Sequence, residues 1–160
     1  FYLKNLPTEK LLEYLMPYLE EAGFIKGKPD KQKLIKMVEL YKPRIRTLFQ
    51  IVDNSDFLFL DKPSYNEEAV NKFLKRDYVG SLLDKVEDRL SKLEVFSVPE
   101  IEKTLRELAE ELKMKGADFI HPLRVAITGK AVSPPLFDVI SLLGKEKTIK
   151  RIREGRKLIL

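Results

Sequence analysis

An all-α fold of roughly eight to ten helices is what this sequence predicts. Three observations predict it. Apolar residues recur three or four positions apart along nearly the whole chain. No alternation of apolar and polar residues persists beyond a few positions, so no strand pattern competes. The periodic stretches are punctuated by glycine, proline, serine and aspartate at helix-start and helix-stop positions.

The first element is LLEYLMPYLEEAGF, in which Leu11, Leu12, Leu15, Tyr18, Leu19 and Ala22 share a face. Thr8 is the expected N-cap and Gly23 the expected stop, while Pro17 is expected to kink or break the helix. KPDKQKLIKMVELYKPR comes next, with Asp30 as the N-cap and Leu34, Met37, Val38 and Tyr41 as the inward stripe. Its lysines therefore face outward. Pro43 resets the chain, Arg44 falls in a new turn or helix, and RTLFQIVD reads as a short helix. Residues 52–65 look irregular, punctuated by Asp61, Pro63 and Ser64.

NEEAVNKFL and DYVGSLLDKVEDRLSKL read as two further helices. SVPEIEKTLRELAEELKMKG carries a Ser97–Glu100 capping box with Pro99 in the first turn, and a stripe of Ile101, Leu105, Leu108 and Leu112. GADFIHPLRVAITG ends on Gly129, a residue suited to the left-handed conformation of a helix terminus. Ser133 is expected to N-cap PPLFDVISLLG, and Gly144 to separate that helix from the basic KEKTIKRIREGRKLIL. Prolines and polar residues mark a subdomain boundary near 62–66, with 93–98 as the alternative. The division adopted is 1–65 and 66–160, with an extension of the first part to about 95 left open.

Composition bounds the function. There is no cysteine, which removes disulfides and thiolate metal sites and agrees with a cytoplasmic location. No run of 18 apolar residues exists, so no membrane span is expected. The first residues, FYLKNLPTEK, carry no apolar signal core and no initiator Met, as expected of a piece of a longer chain. The net charge of +5 is unevenly placed. Residues 144–157 hold seven basic and two acidic residues, and residues 25–46 hold eight and two. Residues 47–143 hold 13 basic and 17 acidic residues. Two basic segments on a mildly acidic body point to a polyanionic partner; the alternative is two solvated helix faces.

Catalytic signals are absent. The single histidine, His121, precedes a proline and reads as structural. The carboxylates sit at helical spacing from lysines and arginines, as solvent-facing pairs do. A phosphate-cradling loop requires G-x-x-x-x-G-K-[ST]. Gly129-Lys130 has Arg124 at the first glycine position and Ala131 after the lysine; Gly144-Lys145 has Val139 and Glu146. Neither is such a loop. An interaction surface fits better. Tight helical turns expose backbone N–H groups that suit phosphates and base edges, and Arg124, near the end of its helix, could stack or donate a bidentate pair.

The stretch LRVAITGKAVSPPLFDVISLLGKEKTIKRI resembles the C-terminal signature of bacterial glutamyl-tRNA synthetases, L-R-x-A-[LI]-T-G … [ST]-P-x-L-F … L-x-x-L-G-x-[ED]-[RK]-x-x-x-R. LPTEKLLEYLMPYLEEAGF is similar to the segment that comes after the catalytic domain, and KMVELYKPRIRTLFQIVD to the helix ending R-x-[KRD]-T-L. The three agreements occur in the family's order and span nearly the whole chain. The resemblance implies the C-terminal anticodon-binding region: an all-α pair of small helical subdomains of the α-helical cage type found in this class I synthetase.

The resemblance implies several further expectations. The parent enzyme would join glutamate to its tRNA using ATP and Mg²⁺, held by a catalytic domain whose HIGH-type and KMSKS-type motifs do not occur here. This chain would hold no cofactor and have no ligase activity alone. Arg44 matches the arginine that reads the third anticodon base in discriminating members, and Arg124 matches a second anticodon-contacting arginine. Ser133 occupies a Ser/Thr position near the anticodon, and Leu136 matches a leucine that packs on an anticodon base. Lys145, Lys147, Lys150 and Arg151 would contact phosphates and set register. Arg46 lies where members vary and is assigned no base. The partner would be tRNA(Glu), or tRNA(Gln) as well in a parent of relaxed specificity, and the chain a cytoplasmic monomer.

Each residue also has a plainer reading. Arg44 could cap a helix, Ser133 could be only an N-cap, and Leu136 could be core. For the whole chain the alternative is a stand-alone basic helical domain that binds protein or RNA without anticodon specificity. A small carboxylate hydrolase would need a pair of carboxylates with shifted pKa values, which nothing in the sequence marks.

Overall fold

The computed structural model describes residues 5–44 and 46–159. Among these the chain is helical and no strand occurs. Among the described residues no helix is long and apolar enough to cross a membrane. The backbone divides into two compact units, Phe1–Asp61 and Lys62–Leu160.

The first unit contains α1 (Thr8–Glu21), α2 (Lys31–Tyr41), α3 (Leu48–Asn54) and the single turn α4 (Asp56–Phe59). Its core is built from Leu11, Leu12, Leu15 and Leu19 of α1 against Leu34, Met37, Val38 and Tyr41 of α2, closed by Ile51 and Phe57. Two expectations for α1 are corrected. Thr8 is the first helical residue, not the cap; Pro7 holds that position and makes no side-chain bond. The helix also runs through Pro17 without a break. An interior proline costs ~3 kcal/mol. Four leucines distributed over both halves of α1 each gain about 1.5–3 kcal/mol on burial, so packing outweighs that local penalty.

Gly23 does stop the helix. At φ +77° its N–H bonds the Glu20 carbonyl, and the Phe24 N–H reaches back to Leu19 at 3.0 Å. Asp30 caps α2 by accepting the Lys33 N–H at 3.3 Å. Thr47 caps α3 in a complete capping box with Gln50. Residues 52–65 are less irregular than expected, since α3 reaches Asn54 and α4 comes directly after. The Tyr41 hydroxyl donates to the Asn54 carbonyl at 2.6 Å, tying the end of α2 to the end of α3.

The second unit contains α5 (Glu67–Ala69), which widens into a π-helical turn over Val70–Leu74, then α6 (Val79–Ser91), α7 (Val98–Glu111), α8 (Gly116–Thr128), α9 (Leu136–Leu143) and α10 (Lys145–Lys157). Helix α10 packs on α8 and α6, and α7 packs on α9. The approach of α10 to α8 depends on Gly155, where a Cβ would lie 2.7 Å from that of Ala126. Ser97 caps α7 by accepting the Glu100 N–H at 3.4 Å. Helix α7 ends earlier than the periodicity implies, because Lys113 adopts the left-handed conformation at φ +54°. The Met114 N–H then bonds Ala109.

Candidate nucleic-acid interface

Arg124 lies on α8, four residues before its end, and its side chain is half-buried. Helix α8 must stop abruptly to leave room for the loop into α9. Gly129 makes the stop at φ +78°, with its N–H on the Val125 carbonyl at 2.8 Å. Its carbonyl accepts the Asn66 N–H at 2.8 Å. A Cβ here would meet the Ser64 carbonyl oxygen at 2.4 Å, so the position excludes a side chain by sterics as well as by φ.

The loop between α8 and α9 is fastened at both ends. The Thr128 hydroxyl lies 2.8 Å from the Arg124 carbonyl, to which it donates, and accepts the Lys130 N–H at 3.1 Å. Further on, the Ser133 hydroxyl accepts from Arg124 Nε at 3.0 Å and donates to the Pro134 carbonyl at 2.7 Å. Ser133 is therefore not the N-cap of α9. Pro135 takes that place with no side-chain bond, and Ser133 instead orients the guanidinium. Nε is thus engaged, and the four Nη–H donors form a fork for a planar acceptor. Burial pushes the Arg124 pKa down, but an arginine stays charged in proteins.

Burial distinguishes two apolar residues of this region. Leu136, the first residue of α9, is only 3% exposed and belongs to the core, so it backs the loop and does not present a face. The apolar side chain that does face solvent here is Val132, at 83% exposure. Val132 carried no periodic signal, because it lies between helices; only the short gap between Gly129 and Ser133 hinted at a loop tip. Tyr65 was missed for a similar reason. Its hydroxyl donates to the Ala126 carbonyl at 2.7 Å from a position 61 residues away, a link invisible in local pattern.

Arg44 sits in the first unit, in the turn after α2. Its N–H bonds the Tyr41 carbonyl and its Nη1 donates to the Leu40 carbonyl, both at 2.8 Å. A cation on the final carbonyls of a helix is favourable. The side chain is nevertheless exposed, and one Nη contact leaves most of its donors for a ligand. The lysines at 26, 28, 31, 33 and 36 are all exposed, forming the solvated face expected of them.

Several cations of the basic C-terminal helix are engaged within their own unit. Arg151 is 1% exposed, with Nη1 donating to the Ile127 carbonyl at 3.1 Å. The phosphate role expected of it is corrected: its charge serves a carbonyl in the last turn of α8, which has no intrahelical partner. Lys145 Nζ donates to the Leu93 carbonyl at 2.7 Å. Arg153 pairs with Glu87 at 2.5 Å and Arg156 with Asp84 at 3.2 Å, joining α10 to α6. Lys147 is half-buried, and of the four residues expected at phosphates only Lys150 is exposed. His121 stacks on Phe73, with ring centroids 5.0 Å apart, as a packing residue of α8.

A family described as anticodon binding domain matches residues 10–156. A glutamate–tRNA ligase of Caldanaerobacter subterraneus is 34% identical over 158 residues, which are 99% of this chain and 33% of the relative. One from Koribacter versatilis is 36% identical over 157 residues, 98% of this chain and 33% of that protein. The chain thus spans about a third of the length of the relatives it matches. Among solved structures, a glutamate tRNA ligase of Elizabethkingia meningosepticum in complex with its amino acid superimposes with a TM-score of 0.88 over 99% of this chain and 31% of that one, at 24% identity. The glutamate–tRNA synthetase of Elizabethkingia anophelis gives 0.83 at 26% identity, over 98% and 30%.

Proposed function

The chain belongs to the anticodon-binding domain family, and from that premise we propose that it is the anticodon-reading region of a glutamate–tRNA ligase. The observation that carries the reading is Arg124 held by Ser133 beside a glycine-stopped helix, with an exposed apolar Val132 in the same loop. A guanidinium fork next to an apolar surface is how splayed single-stranded bases are recognised. The first unit contributes Arg44 to the third anticodon base, and the second contributes Arg124 and Ser133 to another. Lys150 supplies phosphate attraction, and Lys147 and Lys145 lie on the same helix. Leu136 shapes the loop from beneath.

The partner is tRNA(Glu), with tRNA(Gln) also bound if the parent is of relaxed specificity. The chain acts as a monomer in the cytoplasm. ATP and Mg²⁺ would be held by the catalytic domain that the resemblance to glutamyl-tRNA synthetases implies for the parent enzyme. The alternative of a basic domain without anticodon specificity differs in one measurable respect. Binding of the chain to tRNA(Glu) is compared with binding to the same tRNA altered at the third anticodon base, at two salt concentrations. The expected preference is about 1–3 kcal/mol, the scale of one good base contact, and Arg44→Ala abolishes it. Salt-sensitive binding without preference would leave only a phosphate-gripping surface.

A further inference from the structure

We propose that Phe49 is a stacking platform for an unpaired base of the anticodon loop, a role that rests on the anticodon-reading function above. Phe49 is the second residue of α3 and is 71% exposed. Other phenylalanines of the same unit are placed very differently. Phe57 is 1% exposed in the core, and Phe24 and Phe59 stack on each other at 5.1 Å. Among the described residues Phe49 stacks on no ring. Helix α3 already anchors itself through Ile51, so packing of the unit does not explain an aromatic at position 49.

The surroundings identify what covers it. Helix α3 is entered through Arg44, Arg46 and Thr47, and both arginines are exposed. Phe49 lies five positions after Arg44, so their Cα atoms lie within ~18 Å of each other. The one carboxylate of α3, Asp53, comes a full turn after Phe49. A ring preceded by two cations suits a partner with a π-face and an anionic backbone together, and single-stranded RNA has both. The Thr47–Gln50 capping box fixes the first turn of α3, so the ring projects from a regular helix and not from a loose loop. A base stacked there would lie next to the one that Arg44 reads.

The sequence contains no tryptophan, so Phe49→Trp places a sole indole at this position. The chain is titrated with an RNA hairpin carrying the anticodon stem and loop of tRNA(Glu), and with the same hairpin altered at the third anticodon base. The expected result is quenching of the tryptophan emission with affinity retained. Phe49→Ala should weaken binding about 5- to 100-fold. The salt dependence should stay unchanged, because no phosphate contact is lost. Unquenched emission and an unchanged affinity of Phe49→Ala, with the anticodon preference intact, would overturn the stacking role and leave the ring facing protein. Absence of any anticodon preference in the unsubstituted chain would instead overturn the function on which the stacking rests.

Discussion

Arg124 Nε donates to the Ser133 hydroxyl at 3.0 Å across the turn between α8 and α9. The bond joins two residues nine positions apart and fixes the plane of the guanidinium. It also explains why a serine stands before two prolines. With α9 started by Pro135, the hydroxyl is left for the arginine.

Ser133→Ala removes that acceptor and leaves a half-buried Nε–H without its partner. Binding of RNA should weaken by about 1 kcal/mol, roughly fivefold, because Arg124 must be ordered on binding. Ser133→Thr should retain affinity. Titration of both variants with the anticodon hairpin, beside a thermal melt, separates lost orientation from lost fold.

Gly129→Ala should be far more damaging than Gly23→Ala, although both glycines have positive φ. A methyl at 23 meets nothing within 4 Å, so only the left-handed conformation is penalised, by about 1–2 kcal/mol. A methyl at 129 also collides with the Ser64 carbonyl and strains the Asn66 bond that holds the loop. A loss of about 3 kcal/mol or more is expected in urea unfolding, with anticodon preference lost first.

Arg151 and Lys150 are adjacent, yet their substitutions should separate stability from binding. Arg151→Ala takes a side chain from the core and one donor from the Ile127 carbonyl, and should cost about 2–4 kcal/mol of stability. Lys150→Ala should leave stability within ~0.5 kcal/mol but reduce the salt slope of RNA binding by about 1. Denaturant unfolding and a salt titration on both variants test the pair.

Tyr65 predicts an alkaline limit. Burial, the larger cause, pushes its phenol well above the usual value of 10.0; nearby Arg151 opposes and Glu154 adds to the rise. A group with a raised folded pKa contributes stability that is complete below its unfolded value and is lost as pH rises through the folded one. Wild type should therefore lose stability progressively above about pH 10, where Tyr65 ionises in the unfolded chain. Tyr65→Phe gives up the bond to Ala126, about 0.5–1.5 kcal/mol at pH 7, and should show a weaker decline on the alkaline side. Thermal melts across pH 7–11 on both proteins provide the comparison.

The sequence by itself determined the helices and their inward faces. Leu34, Met37, Val38 and Tyr41, or Ile101, Leu105 and Leu108, are read from a 3.6-residue period because burial of one face acts on each helix separately. It also determined the stops at Gly23, Gly129 and Gly144, whose positive φ angles favour a residue without a Cβ. Tertiary structure alone decided which polar groups remain available. Arg151 and Lys150 are consecutive cations on one helix, and only packing of α10 on α8 buries the first and exposes the second. Ser133 reads as a cap until Arg124 is brought against it, and Leu136 and Val132 are told apart only once α9 docks. These outcomes depend on contacts between distant segments, and such contacts leave no period in the sequence.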